Sequence, residues 1–360
     1  MRCVADMIQK VGLLTKRGLY RLPMVSKEWL AGHEMPLNRP WAPETFPLAT
    51  HAGAVPEADR TIREALEEEH SIVKHDVRVT ALALWDTVSS MGIPWPALLR
   101  QPTSTSLTFV GSDLRGVDYA FQALALHESR WNFPAVVLRQ PSDTNMHLQQ
   151  CWFAGYHADV GGGRMQDALG HIALAWIFGK LRHYNILDFD ESLFWTPLFN
   201  GPSFKIDRST NRLVVNIKSS MSKPYRFLGS KHRIPRCQFW DNLGRPVEVN
   251  PTQDSAKTDT SHEEIHALVR PLLQEKRIPR PPALQDTNIP SRGGAWTIKG
   301  DDGRNFEVKQ APMSYFEASI LVDWLGKELI KMQMDASIPF QIEEECRLLA
   351  EEIQHVLLED

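Results

Sequence analysis

The sequence lacks most of the features that would confine it to a specialised class. Its 360 residues hold four cysteines, Cys3, Cys151, Cys237 and Cys346, widely spaced and without a C-x-x-C pair. That excludes a small disulfide framework and a zinc ribbon, and makes a reducing, cytoplasmic setting the expectation, with all four thiols buried as small hydrophobes. Long hydrophobic runs are missing too. The longest uninterrupted apolar stretch is Ile172 to Phe178, far short of the ~20 residues a membrane-crossing helix needs. The opening residues do not read as a secretory leader, because Asp6, Gln9 and Lys10 interrupt their apolar side chains. Neither sign of charge dominates: 40 Lys and Arg face 44 Asp and Glu, a net charge of −4. The chain as a whole therefore has no general attraction for nucleic acid or an anionic membrane. With 42% hydrophobic and 23% charged residues it has a globular composition, so wholesale disorder is excluded. No internal repeat or heptad array is present.

What is there reads as alternating strands and helices. Val4, Met7, Ile8 and Val11 recur at helical spacing and Gly12 is the expected stop. A helix opening this abruptly suggests that something precedes it. The stretch from Pro36 to Pro47, with Trp41 and Phe46 among four prolines, is expected to be an irregular surface loop, and Glu57 to Glu69 a solvated helix. Val77 to Trp85 begins by alternating and becomes continuously apolar, the pattern of a strand covered on both faces. Ala135 to Leu138 and Gln150 to Ala154 are further strand candidates, and Ile172, Ala173, Trp176, Ile177 and Leu181 form a helical stripe. Strand, short loop and helix in repetition predict a parallel α/β sheet, doubly wound, with helices on both faces. Beyond about residue 190 the pattern becomes mixed. Arg212 to Ile217 reads as a strand and Arg277 to Pro290 as a proline-rich linker. Ser261-x-x-Glu264 reads as the capping box of a helix carrying Ile265, Leu268 and Val269. Trp296–Lys299 and Phe306–Lys309 read as a hairpin around Asp302-Gly303, and two amphipathic helices close the chain. The expected organisation is residues 1–190 as a partial core and 191–360 as a C-terminal extension of the same domain.

In a parallel sheet, chemistry collects where loops converge, at the carboxyl ends of strands. Asp86 follows one buried run; His157 follows another, in a loop that ends in Gly161-Gly162-Gly163. A carboxylate behind an imidazole fixes its tautomer and steadies the imidazolium that forms during proton transfer. Each residue also has a structural reading, Asp86 as a turn or helix cap and His157 as a packed loop histidine. A nucleophile to go with them is absent: no G-x-S-x-G occurs in the 360 residues. Neither Cys151, within a strand, nor Cys3, at a helix start with no strand before it, has an elbow setting. Three weaker candidates complete the set. Asp86, His157 and Asp159 together have the chemistry of a hard-metal site, although H-x-D is common by chance; no cofactor is otherwise implied. His266 is a fallback base. Lys223, Arg226, Lys231, His232, Arg233 and Arg236, with Tyr225 and Phe227 interleaved, form a basic patch whose simplest reading is a solvated loop.

Two blocks, Ala83–Gly92 and Trp152–Gly163, resemble the signature blocks of an uncharacterised α/β-hydrolase domain family that includes the catalytic domain of type VI secretion phospholipase effectors. A third, Ala123–Arg130, resembles the family's middle block, with His127 where Asp is more usual. The resemblance implies a hydrolase-type, mostly parallel sheet, and a serine ester hydrolase acting on a phospholipid or another lipid ester. It implies Asp86 as the acid and His157 as the base of a triad. It further implies that the nucleophile block, similar to G-F-S-R-G-A, and the strand before it lie upstream of Met1. The chain as written would then be inactive; the alternative is a binding or interaction protein on the same scaffold.

Overall fold

The computed structural model describes residues 2–16, 19, 22, 73–74, 77–88, 115–130, 133–163, 168–189, 206–207, 212–213, 215, 217, 219, 230–237, 239–240, 246–247, 260–291, 293–300, 303–314 and 317. The Pro36–Pro47 loop, the helix expected at 57–69 and the closing helices beyond Glu317 lie outside them.

Helix α1 (Arg2–Val11) leads into a short antiparallel pair, β1 (Leu13–Leu14) with β2 (Val73–Lys74). Then come β3 (Val79–Trp85), β4 (Val117–Ala125), β5 (His147–Phe153), the short helix α2 (His157–Val160) and α3 (Ala168–His183). Two-residue strands follow as pairs, β6 (Ile206–Asp207) with β7 (Arg212–Leu213) and β8 (Phe239–Trp240) with β9 (Pro246–Val247). The chain continues through β10 (Glu263–His266), α4 (Val269–Gln274), β11 (Trp296–Lys299), β12 (Asn305–Val308) and β13 (Gln310–Ala311). Strands β13, β10, β5, β4 and β3 lie side by side in that order, every neighbour parallel, as one five-stranded sheet.

Side chains alternate between the two faces of that sheet. Leu82, Leu84, Ala120 and Leu148 point one way and cluster with Ala5 of α1, while Phe121 and Phe153 point the other way. There Trp176 of α3 meets both rings edge-on, at 6.5 and 5.7 Å between centroids. Cover on both faces is why the interior strand β4 is buried along almost its whole length. The expected doubly wound α/β sheet is the observed one.

Several local expectations are corrected. In α1 the deeply buried residue is Ala5, and Val4 of the predicted stripe is exposed. Strand β4 was not anticipated, whereas Ala135 to Leu138 is buried but outside the sheet, with one isolated bridge between Ala135 and Val88. Its backbone is satisfied by two buried glutamines projecting from β4 and β5. Gln122 Nε2 donates to the Val136 carbonyl at 2.9 Å. Gln150 accepts from the Leu138 amide at 2.8 Å and donates to the Leu138 carbonyl at 2.9 Å. Side chains here replace a ladder that propensity alone would predict. The capping-box reading at Ser261 also fails. Residues 263–266 are strand β10, held between β5 and β13, and the helix begins only at Val269. Arg277 to Pro290 is packed: Ile278 and Leu284 are buried, and Arg280 Nη1 donates to the Thr287 carbonyl at 2.5 Å. The β11–β12 hairpin is as expected, with Trp296, Ile298, Phe306 and Val308 turned into the core.

Candidate active site

Strand β3 ends at Trp85, and the next residue leaves the sheet abruptly. Asp86 has φ +43°, a left-handed conformation that Asp tolerates better than most side chains. Its amide still donates to Ala123 of the neighbouring strand at 2.7 Å, so the turn is held to the sheet while the carboxylate swings over its edge. Two strands away β5 ends at Phe153, and Gly155 turns the chain with φ +120°. A Cβ at Gly155 would stand 2.7 Å from the Cβ of Asp159, so no other residue fits without displacement. Asp159 Oδ2 accepts from the Tyr156 amide at 2.9 Å and closes the start of α2, whose first residue is His157.

His157 Nδ1 donates to Asp86 Oδ2 across 2.6 Å. The carboxylate is fully buried; the imidazole side chain is 32% exposed. Among the described residues its other nitrogen, Nε2, has no hydrogen-bond partner. Asp86 Oδ1 accepts from the Ala125 amide at 2.8 Å and from Arg233 Nη1 at 2.5 Å. Burial on its own raises the carboxyl's pKa. The adjacent Arg233 charge and the His157 hydrogen bond outweigh it and hold the group at about 2. Asp86 is thus an anion at neutral pH.

The loop after β4 lies between these two strand ends and braces both. His127 is buried and uses both nitrogens: Nδ1 accepts from the Gly155 amide at 2.9 Å and Nε2 donates to the Pro279 carbonyl at 2.8 Å. Burial depresses its pKa more than the Pro279 bond raises it, which keeps this histidine neutral. Glu128, fully buried, accepts from Arg130 Nε and Nη2 at 3.0 and 2.9 Å and from the His157 amide at 3.3 Å. The Arg130 guanidinium lies 3.5 Å over the Phe133 ring, whose edge in turn meets the His157 imidazole at 5.4 Å.

Three sequence blocks that resemble one family thus meet in space at one rim of the sheet. A model of the family described as "T6SS, Phospholipase effector Tle1-like, catalytic domain" matches residues 1–180 of the chain. The chain belongs to this family. No curated protein and no solved structure matches it.

Within the Tle1-like fold the other candidates fall elsewhere. His266 is at the carboxyl end of β10 but is buried, its Nε2 against Glu317 Oε1 at 3.0 Å and its Nδ1 accepting from the Leu268 amide at 3.3 Å. It borders an apolar cavity of about 10 Å³, with Phe153, Leu169 and Leu272 among its walls, no larger than one water requires. Cys151 is a buried free thiol whose pKa burial drives well above the usual thiol value, the opposite of an activated nucleophile. Cys237 is half-buried and in no disulfide; the Cys3 side chain and Cys346 lie outside the described residues. Asp159 spends a carboxylate oxygen on Tyr156, and among the described residues no group of three metal-binding side chains gathers. Of the basic patch, Lys223 and Arg226 lie outside the described residues. Lys231 and His232 are exposed, and Arg233 is buried on Asp86, not solvated as expected. Nothing in the charge pattern singled out Arg233. Glu128 and Arg130 had no role beyond their place in the Ala123–Arg130 block, and Phe133 lay outside every block. No helix among the described residues is long and apolar enough to cross a membrane.

Proposed function

We propose that Asp86 and His157 are the acid and base of a serine ester hydrolase of the phospholipase type, acting on a lipid ester. The observation that carries this reading is the pair itself: a buried, ionised carboxylate 2.6 Å behind a partly exposed imidazole whose outer nitrogen has no hydrogen-bond partner among the described residues. In such a site Nε2 takes the proton of a serine hydroxyl as its oxygen attacks the ester carbonyl. The leaving alcohol departs with that proton, and a water, deprotonated by the same nitrogen, releases the acid from serine. Asp86 keeps the proton of the resting ring on Nδ1 throughout.

The serine of that scheme is not found in a G-x-S-x-G setting anywhere in this sequence. We therefore read this chain as carrying the acid and base without the nucleophile, and as inactive on its own. Residues 191–360 are proposed as an extension of the same domain. That reading is supported by β10 and β13, which continue the sheet begun by β3, and by Arg233, which reaches Asp86. A fluorophosphonate probe is expected to leave the 360-residue chain unlabelled. It should label a form joined to an upstream strand and G-x-S-x-G elbow. Labelling of the chain itself at any serine would overturn the inactive reading. The missing motif also favours a second reading, a non-catalytic binding protein on this scaffold, for which the extended form would remain unlabelled while melting cooperatively.

A further inference from the structure

We infer that Arg233 is the positioning residue of the Asp86–His157 pair, setting the acid's orientation and buttressing the base through a single guanidinium. The inference rests on the reading of that pair as acid and base, and adds a group that lies outside the 1–180 family match.

The geometry carries it. A carboxylate that orients an imidazole must hold one oxygen toward the ring; left with a free second oxygen, it can rotate. Here Oδ1 is pinned twice, by Arg233 Nη1 at 2.5 Å and by the Ala125 amide at 2.8 Å, which fixes Oδ2 on His157. The same guanidinium spends its other donors on carbonyls around the site. Nη1 also reaches Ala125 at 3.2 Å, and Nε and Nη2 fork onto the Phe133 carbonyl at 3.2 and 2.7 Å. Phe133 is the residue whose ring edge rests on His157. Arg233 therefore holds the acid directly and the base through Phe133.

The chemistry explains why this is an arginine. A planar fork serves a carboxylate and two backbone carbonyls from three separate nitrogens in fixed geometry; the single nitrogen of a lysine ammonium has no such spread. Arg233 is 2% exposed and Asp86 fully buried, so neither charge is tolerable without the other. Around the imidazole stand two buried ion pairs, Asp86 with Arg233 and Glu128 with Arg130.

The test uses the full chain labelled with ¹³C-Asp and ¹⁵N-His, comparing wild type with Arg233→Met and Arg233→Lys. Wild type should show a low-field Nδ1 proton on His157 and an Asp86 carboxyl that titrates near 2. In Arg233→Met the Asp86 titration should move up, and the Nδ1 proton should exchange with water at least about ten-fold faster, or vanish. Arg233→Lys keeps the charge but not the fork: its Asp86 titration should stay low while the Nδ1 exchange quickens. Should the Met variant not fold, the Lys variant decides alone. Wild-type exchange and titration in a folded Met variant, or wild-type exchange in the Lys variant, overturns the role of Arg233. A wild-type chain with no protected Nδ1 proton overturns the acid–base reading itself, so the two failures are distinguishable.

Discussion

Among the described residues the sheet carries two histidine–carboxylate pairs at the carboxyl ends of its strands, and they differ in one respect that matters. Asp86–His157 and Glu317–His266 both pair a fully buried carboxylate with an imidazole, at 2.6 and 3.0 Å. Yet the His157 side chain is 32% exposed and His266 is 1% exposed. In the second pair both ring nitrogens are consumed, by Glu317 and by the Leu268 amide, and the ring stacks on Phe153 at 4.6 Å. Glu317 also accepts from the amide and hydroxyl of Ser314, so the pair ties the segment after β13 to the sheet. The comparison teaches that a carboxylate behind an imidazole is not by itself a site. On the proposed reading, a ring nitrogen without a partner among the described residues separates a base from a structural fastening.

On that division, truncating the acids should affect both pairs alike, while truncating the imidazoles should separate them. Removing the acid from either leaves buried, unpaired groups, so Asp86→Ala and Glu317→Ala should each destabilise the fold by about 3–5 kcal/mol in denaturant melts. Wild-type melts for both variants would break the account of burial. Gly155→Ala should cost about 1–3 kcal/mol, because φ +120° and the Asp159 side chain both oppose a Cβ there. Acid should act on the Asp86–His157 pair in a defined window. Asp86 is held at about 2 against an ordinary 3.8, so its contribution is complete above 3.8 and is lost as pH falls toward 2. An acid titration of Asp86→Asn should lack that part of the decline. The smallest expected effect is His157→Ala, within about 1 kcal/mol of wild type, since a partly exposed ring holds little together. A large loss there would make His157 a structural residue like His266.

How much of this was legible in the sequence follows from which forces acted locally. Asp86 and His157 could be placed because each follows an apolar run that ends at a strand terminus. Their meeting needed only that β3 and β5 flank one neighbour. The α3 stripe was legible for a similar reason. By contrast, β10 was misread because Ser261-x-x-Glu264 has a helix-capping pattern, while the pairing partners that make it a strand lie more than a hundred residues earlier in β5. The segment at 135–138 looks like any buried strand; its hydrogen bonds go to Gln122 and Gln150, polar residues hidden in apolar strands. Arg233 was invisible for the same reason at longer range. Its partner is 147 positions away, and a buried arginine and a solvated one look alike in a run of basic residues.

The most direct test of the central claim measures fluorophosphonate labelling of the form joined to a G-x-S-x-G elbow in three backgrounds: unaltered, His157→Ala and His266→Ala. The account predicts a labelling rate reduced at least about 100-fold by His157→Ala, as expected for loss of a general base. In His266→Ala the folded fraction should label at the unaltered rate. Undiminished labelling in His157→Ala, or an equal loss in the folded fraction of His266→Ala, would contradict it.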